Sequence, residues 1–76
     1  MIRIEKVRKQ ITSDGTSVSA VVDLQVSTTA ELPDKGEQIG TIKVMPGSIA
    51  QVIQAGGFYT LDSNGTWYDE SGNAAS

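Results

Sequence analysis

The chain has 76 residues, a net charge of −3 and neither histidine nor cysteine. A chain of this length forms one small domain, which buries only about 60% of its unfolded surface and is marginally stable. The lack of cysteine excludes disulfides, and the lack of both residue types argues against a zinc site. The acidic balance argues against nucleic acid as a partner, because phosphate binding requires a basic surface. We predict neither a metal nor another cofactor.

The N-terminal segment is charged from the start, with Arg3, Glu5 and Lys6 among its first residues. It has no apolar stretch of the kind found in signal peptides, and no apolar run in the chain is long enough to span a bilayer. We therefore expect a chain that is made in the cytoplasm, stays soluble and has no membrane partner.

The first third of the sequence predicts one long hairpin. Asp14-Gly15 is a strong signal for a two-residue type I′ turn, whose central residues both need positive φ. Counting outward from this turn pairs Ile11 with Val18 and Val7 with Val22. The second half of the hairpin should therefore begin close to Val18.

The second strand of this hairpin alternates between apolar and polar residues. From residue 18 to residue 26 the even positions are apolar, and this period of two predicts a strand with one buried face. Val21 is the exception to the alternation. It would lie on the other face, which makes it a candidate interaction residue.

The first strand changes phase along its length. Its two isoleucines near the N-terminus occupy even positions, whereas the later apolar residues occupy odd ones. A regular ladder would put the isoleucines on the wrong face, and one extra residue corrects this. We therefore predict a β-bulge at about Glu5-Lys6, which places Ile4 opposite Leu24 and Ile2 opposite Val26.

The middle of the chain predicts a connector. Thr28 and Glu31 have the spacing of a capping box, in which a hydroxyl begins a helical turn and a carboxylate three residues later bonds back. Pro33 then ends the helix after one turn. The polar loop at residues 34–37 is expected to be mobile.

The second half predicts a compact antiparallel meander. Residues 38–44 alternate as a strand, and Pro46-Gly47 fits the centre of a type II turn. Residues 49–53 form the next strand. Gly56-Gly57 then turns the chain into a strand at residues 58–61.

A second strong hairpin signal, Asn64-Gly65, follows this strand. A two-residue turn at this point places Leu61 opposite Tyr68. The same register places Asp62 opposite Trp67.

Together these elements predict an all-β fold. A long N-terminal hairpin and a short antiparallel meander would form a small sandwich or a partly open barrel. The hairpin is long for so small a domain, so it could instead pack against neighbouring subunits. Residues 1–70 are expected to form a single domain, and residues 71–76 a flexible C-terminal tail.

The sequence offers little for catalysis. Histidine, the commonest base in nucleophilic triads, is absent. The carboxylates of Asp62, Asp69 and Glu70 lie beside a turn and near the chain end, where solvated surface charge is the better interpretation. Residues 62–65 faintly resemble a calcium loop, but their glycine comes fourth rather than sixth, and a turn is the much better interpretation. We predict no catalytic residue and no enzyme.

Basic residues crowd the first strand, at Arg3, Lys6, Arg8 and Lys9. One interpretation is a contact with an acidic surface or with nucleic acid. The other is an edge strand that its charges keep from aggregating, and the acidity of the chain favours this second interpretation. In the predicted register Lys6 meets Asp23 across the hairpin.

All the aromatic residues fall within a short span, as Phe58, Tyr59, Trp67 and Tyr68. They could form a recognition patch, since Trp and Tyr are common at interface hot spots, or they could anchor a core that has few other large side chains. Adjacent strand residues point to opposite faces. One of Trp67 and Tyr68 should therefore be buried and the other partly exposed.

The second half of the chain resembles small phage and prophage proteins. Residues 47–53, followed by residues 58–61 and 64–68, are similar to a "G-S-[IV]-A-x-V-I" segment that precedes "x-Y-x-L-x-x-x-G-x-W" in such proteins. Residues 30–33 resemble the "A-D-L-P" entry of these modules. The resemblance is greatest to β modules of head fibres and capsid gene clusters in phages of Gram-positive bacteria. It implies a structural protein of the virion, without a catalytic site.

Two hypotheses follow from this reasoning. The first is a structural virion protein that self-associates, as a trimer if it is fibre-like, and docks on phage capsid or tail proteins. Val21 or the aromatic group would then form its interface. The second is a soluble monomeric module that captures a peptide or host protein through an open sheet edge, at Gln38–Val44 or at the end of the meander.

Overall fold

The computed structural model describes residues 2–13 and 15–75. Within these residues the regular structure consists of seven strands and a single 3-10 turn. The strands are β1 (Ile2–Ser13), β2 (Val18–Val26), β3 (Gln38–Ile39), β4 (Ile42–Val44), β5 (Ile49–Val52), β6 (Gly57–Leu61) and β7 (Trp67–Asp69). The 3-10 turn spans Thr29–Glu31, and its capping box is confirmed by a bond of 3.1 Å from the Thr28 N–H to Glu31 Oε1.

The strands form one mixed, open sheet around β2. Antiparallel β1 lies along one side of β2, and on the other side β2 pairs in parallel first with β4 and then with β5. The remaining strands continue outward as antiparallel pairs, β3 on β4, β6 on β5 and β7 on β6. The predicted all-β fold with its N-terminal hairpin is confirmed, and the sheet does not close into a barrel. β5, β6 and β7 form the predicted antiparallel meander, whereas β4 pairs with β2 and not with β5.

One side of this sheet carries the hydrophobic core. Alternate residues of β2 are buried, as its period of two predicts, and residues of the meander complete the cluster. The core members are Ala20, Val22, Leu24, Val26, Val44, Ala50, Val52, Leu61 and Trp67. The Trp67 indole N–H donates to the Pro33 carbonyl at 2.7 Å, which fastens the connector over this side of the sheet.

The predicted β-bulge in the first strand is confirmed. The ladder passes from the pair Ile4–Leu24 to the pair Lys6–Asp23, so Glu5 has no opposite residue. A phase change in the apolar pattern located this bulge because every side chain beyond it would otherwise lie on the wrong face.

Two further bulges were not predicted. The register shifts again between residues 7 and 9 and between residues 10 and 12. Val7 still faces Val22 as predicted, but Val18 faces Ser13, so its predicted pairing with Ile11 is wrong. The exposed side chains at these positions gave no phase signal, since the apolar pattern indicates register only where one face is buried.

The hairpin connection is longer than expected. Asp14 of the predicted Asp14-Gly15 turn lies outside the described residues. Because Ser13 pairs with Val18, residues 14–17 separate the strands where a two-residue turn would have paired Ser13 with Thr16. Gly15 has the positive φ, +92°, that a tight connection at this point requires.

The single strand predicted at residues 38–44 is wrong. The chain turns back within it, so that β3 and β4 form a small hairpin with Ile39 opposite Ile42. Gly40 has a φ of +62° at the first central position of the two-residue turn. This is the position where a type II′ turn needs glycine. The alternation of residues 38–44 continues through this turn, so the pattern did not indicate it.

The register predicted for the last hairpin is also wrong by one residue. Leu61 faces Trp67, and Thr60 faces Tyr68. A type I′ turn needs positive φ at both central residues, but Asn64 does not have it, whereas Gly65 has a φ of +91°. The turn is therefore a longer loop, closed by a bond of 2.9 Å from the Asp62 N–H to the Thr66 carbonyl.

The C-terminal residues return to the sheet. The Ala75 N–H donates to the Trp67 carbonyl at 2.8 Å, and the Asp69 N–H donates to the Asn73 carbonyl at 2.9 Å. These bonds run along the outer edge of β7. The flexibility predicted for residues 71–76 stays a prediction that amide exchange can measure.

Candidate interaction surface

The side of the sheet opposite the core is called here the outer face. It consists of side chains from the alternate positions of β1, β2, β5, β6 and β7, and they align in two rows that cross these strands. The first row is Lys6, Asp23, Ile49, Thr60 and Tyr68. The second row is Arg3, Gln25, Gln51 and Phe58. Most of these side chains are exposed, and Asp23, Gln25 and Ile49 are half-buried.

The outer face holds three of the five predicted interaction residues. Phe58 is 49% exposed and Tyr68 is 37% exposed. Val21 lies on the same face but outside the two rows, paired with Lys9 and half-buried against Gly47. Its predicted position opposite to the core side is confirmed.

The other two predicted interaction residues belong to the core side. Trp67 is only 5% exposed, and Tyr59 is half-buried against the core. The prediction that one of Trp67 and Tyr68 is buried and the other partly exposed is therefore confirmed. The period of two divides the aromatic group between the two faces of the sheet.

A cavity of about 360 Å³ opens on the outer face. Ile49 and Phe58 provide apolar wall, while the carboxylates of Glu5, Asp23 and Glu70 lie around it. The sequence analysis did not bring these residues together. They come from separate strands and from the residue after β7, and only the register of the assembled sheet places them side by side.

The charges near the cavity are partly neutralised within the chain. Arg8 Nε donates to Asp23 Oδ1 at 2.6 Å, and an Arg8 guanidinium nitrogen also donates to the Gly47 carbonyl. Lys6 faces Asp23 in register as predicted, but the carboxylate is bonded to Arg8 instead. Within residues 2–13 and 15–75, Lys6 and Glu70 form no hydrogen bond or ion pair. Their charges are directed to solvent.

Arg3 adds a second pair to the basic end of the outer face. Its guanidinium donates to Glu5 Oε1 at 2.6 Å and to Gln25 Oε1 at 3.1 Å. Both partners of the ion pair are about half exposed, so this contact adds little stability. It does hold the guanidinium over the sheet.

The sheet edges are poorly suited to adding another strand. β1 is interrupted by three register shifts and is rich in basic residues, features that protect natural edges. The open edge predicted at Gln38–Val44 is limited to the two residues of β3, because β4 has a neighbour on both sides. At the end of the meander, residues 73–75 bond to β7.

The remaining carboxylates near the meander shape turns. Asp62 Oδ1 accepts bonds from the N–H groups of residues 64 and 66, at 3.1 and 2.8 Å. Asp69 Oδ1 does the same two and four residues later, at 2.9 Å in both cases. These contacts agree with the turn interpretation of residues 62–65.

Neither a protein-family model nor a curated protein nor a solved structure matches this chain. The resemblance to phage proteins therefore depends on the motif residues themselves. Gly47 and Gly65 form turns at φ of +96° and +91°, and Trp67 is a core residue. In the part of the chain that the structure describes, no helix is long and apolar enough to span a bilayer.

Proposed function

We propose that this chain is a non-enzymatic structural protein of a phage particle. It would be a capsid-surface, head-fibre or adaptor component of the virion that acts by self-association and by docking on capsid or tail proteins. The motif residues support this proposal, because they build the turns and core of the meander on which the outer face depends.

The exposure of the aromatic residues carries the proposal. The chain has only four aromatic side chains, and two of them, Phe58 and Tyr68, lie on the outer face at 49% and 37% exposure. A small domain gains most stability by burying such residues. Aromatic side chains left in solvent beside Ile49 are typical of a contact surface.

The sheet edges favour docking through this face over docking through an added strand. Strand addition needs a regular row of unpaired backbone groups. The shifted register of β1, the shortness of β3 and the bonds along β7 leave no such row among the described residues. Docking through the side chains of the outer face needs no such row.

The second candidate is a soluble monomeric module that captures a peptide or host protein. One observation favours it: β1 pairs only with β2, and its residues Val7 and Ile11 are 43% and 48% exposed. A partner that could adapt to the bulges of β1 would cover both side chains. We rank this function second because the bulges and charges of β1 oppose regular pairing.

Mass spectrometry of purified phage particles tests the first candidate. We expect the chain at a fixed ratio to the capsid protein, and we expect particles made with F58S to lose it. Particles made with V7S should retain it, since Val7 faces Val22 on the core side of the sheet. The chain could instead be found only in the lysate, bound to a partner that no longer binds the V7S variant. That result would favour the monomeric binding module.

A further inference from the structure

The outer face has unlike ends. Its rows begin on β1 with Arg3 and Lys6, and they finish on β6 and β7 with Phe58 and Tyr68. Glu70 lies beside Phe58 in the wall of the cavity. One end of the face is thus basic, and the other is aromatic with an acidic residue.

We propose that two copies of this chain pair through their outer faces, related by a two-fold axis that runs along β5. This inference rests on the proposed self-association, for which the outer face would be the surface and a second copy of the chain the partner. In a two-fold contact the same patch serves both copies, so the patch must complement itself. The outer face meets this requirement because its two ends differ. The two-fold rotation places the basic end of each copy against the aromatic and acidic end of the other copy.

The order of strands shows which residues meet. β5 lies midway between β1 and β7, so rotation about β5 places β1 of one copy over β7 of the other. In the first row Lys6 then faces the partner's Tyr68, and Ile49 faces its own equivalent. In the second row, Arg3 comes close to the partner's Glu70.

These juxtapositions are chemically favourable. A lysine over a tyrosine ring gives a cation–π contact. An arginine beside a carboxylate gives a charge-assisted hydrogen bond. The cavities of the two copies meet at the centre of the contact, where Ile49 and Phe58 of each copy provide the apolar wall. Interface hot spots lie near such a centre.

The alternative of pairing two copies through β1 is unfavourable. This strand carries Arg3, Lys6, Arg8 and Lys9 against a single acid, Glu5. Pairing β1 with β1 brings like charges together, whereas the face-to-face arrangement brings β1 against the acidic end. The remainder of the chain is acidic, since its basic residues are only Lys35 and Lys43.

Because the chain is small, a stable interface has to include the whole outer face. Stable interfaces bury about 800 Å² on each partner. The described chain has a surface of 4426 Å² and dimensions of 36 × 24 × 18 Å, so only one of its broad sides offers that area. On the outer face most side chains of the two rows are exposed, as the burial of the described residues shows.

Single charge-reversal variants of the full chain, studied by sedimentation velocity, test the proposal. R3E alone and E70R alone should each weaken self-association by at least about tenfold, because each reversal puts like charges together at two symmetric contacts. An equimolar mixture of R3E and E70R should restore it, since both contacts then join opposite charges. D34R, in an exposed loop, is the matched control for E70R and should leave self-association unchanged.

An apolar pair provides an independent variant. F58S should weaken the dimer, whereas V7S, on the other side of the sheet and 43% exposed, should not. A chain that remains monomeric at high concentration overturns the inference, and so does a dimer in which the R3E and E70R mixture shows no recovery. A chain that pairs as described but is absent from phage particles would contradict the proposed function alone.

Discussion

At the scale of single residues, Ser48 holds together the point where β2 changes neighbours. β2 pairs with β4 as far as Ala20 and with β5 from Asp23 onward. In between, the Val22 N–H donates to Ser48 Oγ at 3.1 Å, and this hydroxyl donates to the Met45 carbonyl at 2.6 Å. Ser48 is completely buried, so its hydroxyl replaces a backbone acceptor that neither strand supplies.

The change S48A should therefore lower the free energy of unfolding by about 1–3 kcal/mol, because it leaves a buried N–H without an acceptor. Urea unfolding measures the effect. S63A, at an exposed turn position, is the matched control and should change the free energy by less than about 0.5 kcal/mol. Equal stability of the two variants would show that water or a shifted strand satisfies the Val22 N–H.

Gly65 is a second residue on which the local structure depends. Its φ is +91°, and a Cβ there would lie 3.4 Å from Lys35 Cβ. G65V should cost about 1–3 kcal/mol of stability, since a β-branched residue is strained at this φ. G65N is the control, because asparagine tolerates positive φ and should cost less. Thermal melting that does not distinguish G65V from G65N would contradict this account of the turn.

At the scale of elements, the local sequence patterns correctly predicted the features that burial of one strand face determines. The period of β2 predicted its buried face, and the phase change before Val7 predicted the first bulge, because burial on one side fixes register there. The later bulges near Arg8 and Ile11 lie where β1 is exposed. The order of apolar and polar residues therefore could not indicate them. The Gly40 turn was missed because the alternation continues through it.

The charges of β1 lead to a prediction about aggregation. An exposed strand of 12 residues is a template for other chains unless charge and irregularity prevent pairing. K9T removes one charge that lies outside the two rows of the outer face, and it should speed aggregation on heating, measured by light scattering. K35T, in the loop after the connector, should not. Equal rates would indicate that the bulges alone protect this edge.

At the scale of the whole molecule, parallel pairing joins the two halves of the sequence into one sheet. β2 accepts β4 and β5 as parallel neighbours, which no local pattern predicts, since a period of two indicates only which face is buried. The same pairing creates the cavity on the outer face. Phe58 and Tyr68 could be proposed from the sequence as interface residues, but the association of Phe58 with Glu5 and Glu70 could not.

The return of the C-terminal residues to β7 can be measured by amide exchange. The Ala75 N–H is bonded to the Trp67 carbonyl, so it should exchange more slowly than the N–H of Ala74, its exposed neighbour. Ala74 serves as an internal control because both amides share the same chain end. Equally fast exchange at both positions would show the flexible tail that the composition of residues 71–76 predicts.

The outer face can be located as a contact surface by NMR of the full chain through a dilution series. Self-association through this face predicts concentration-dependent amide shifts at Asp23, Ile49, Thr60 and Tyr68, which form one row across the sheet. The amide of Val44, in the core on the far side, should not change. Spectra that are independent of concentration, or shifts confined to the core side, would contradict the assignment of the outer face as the surface by which this protein assembles.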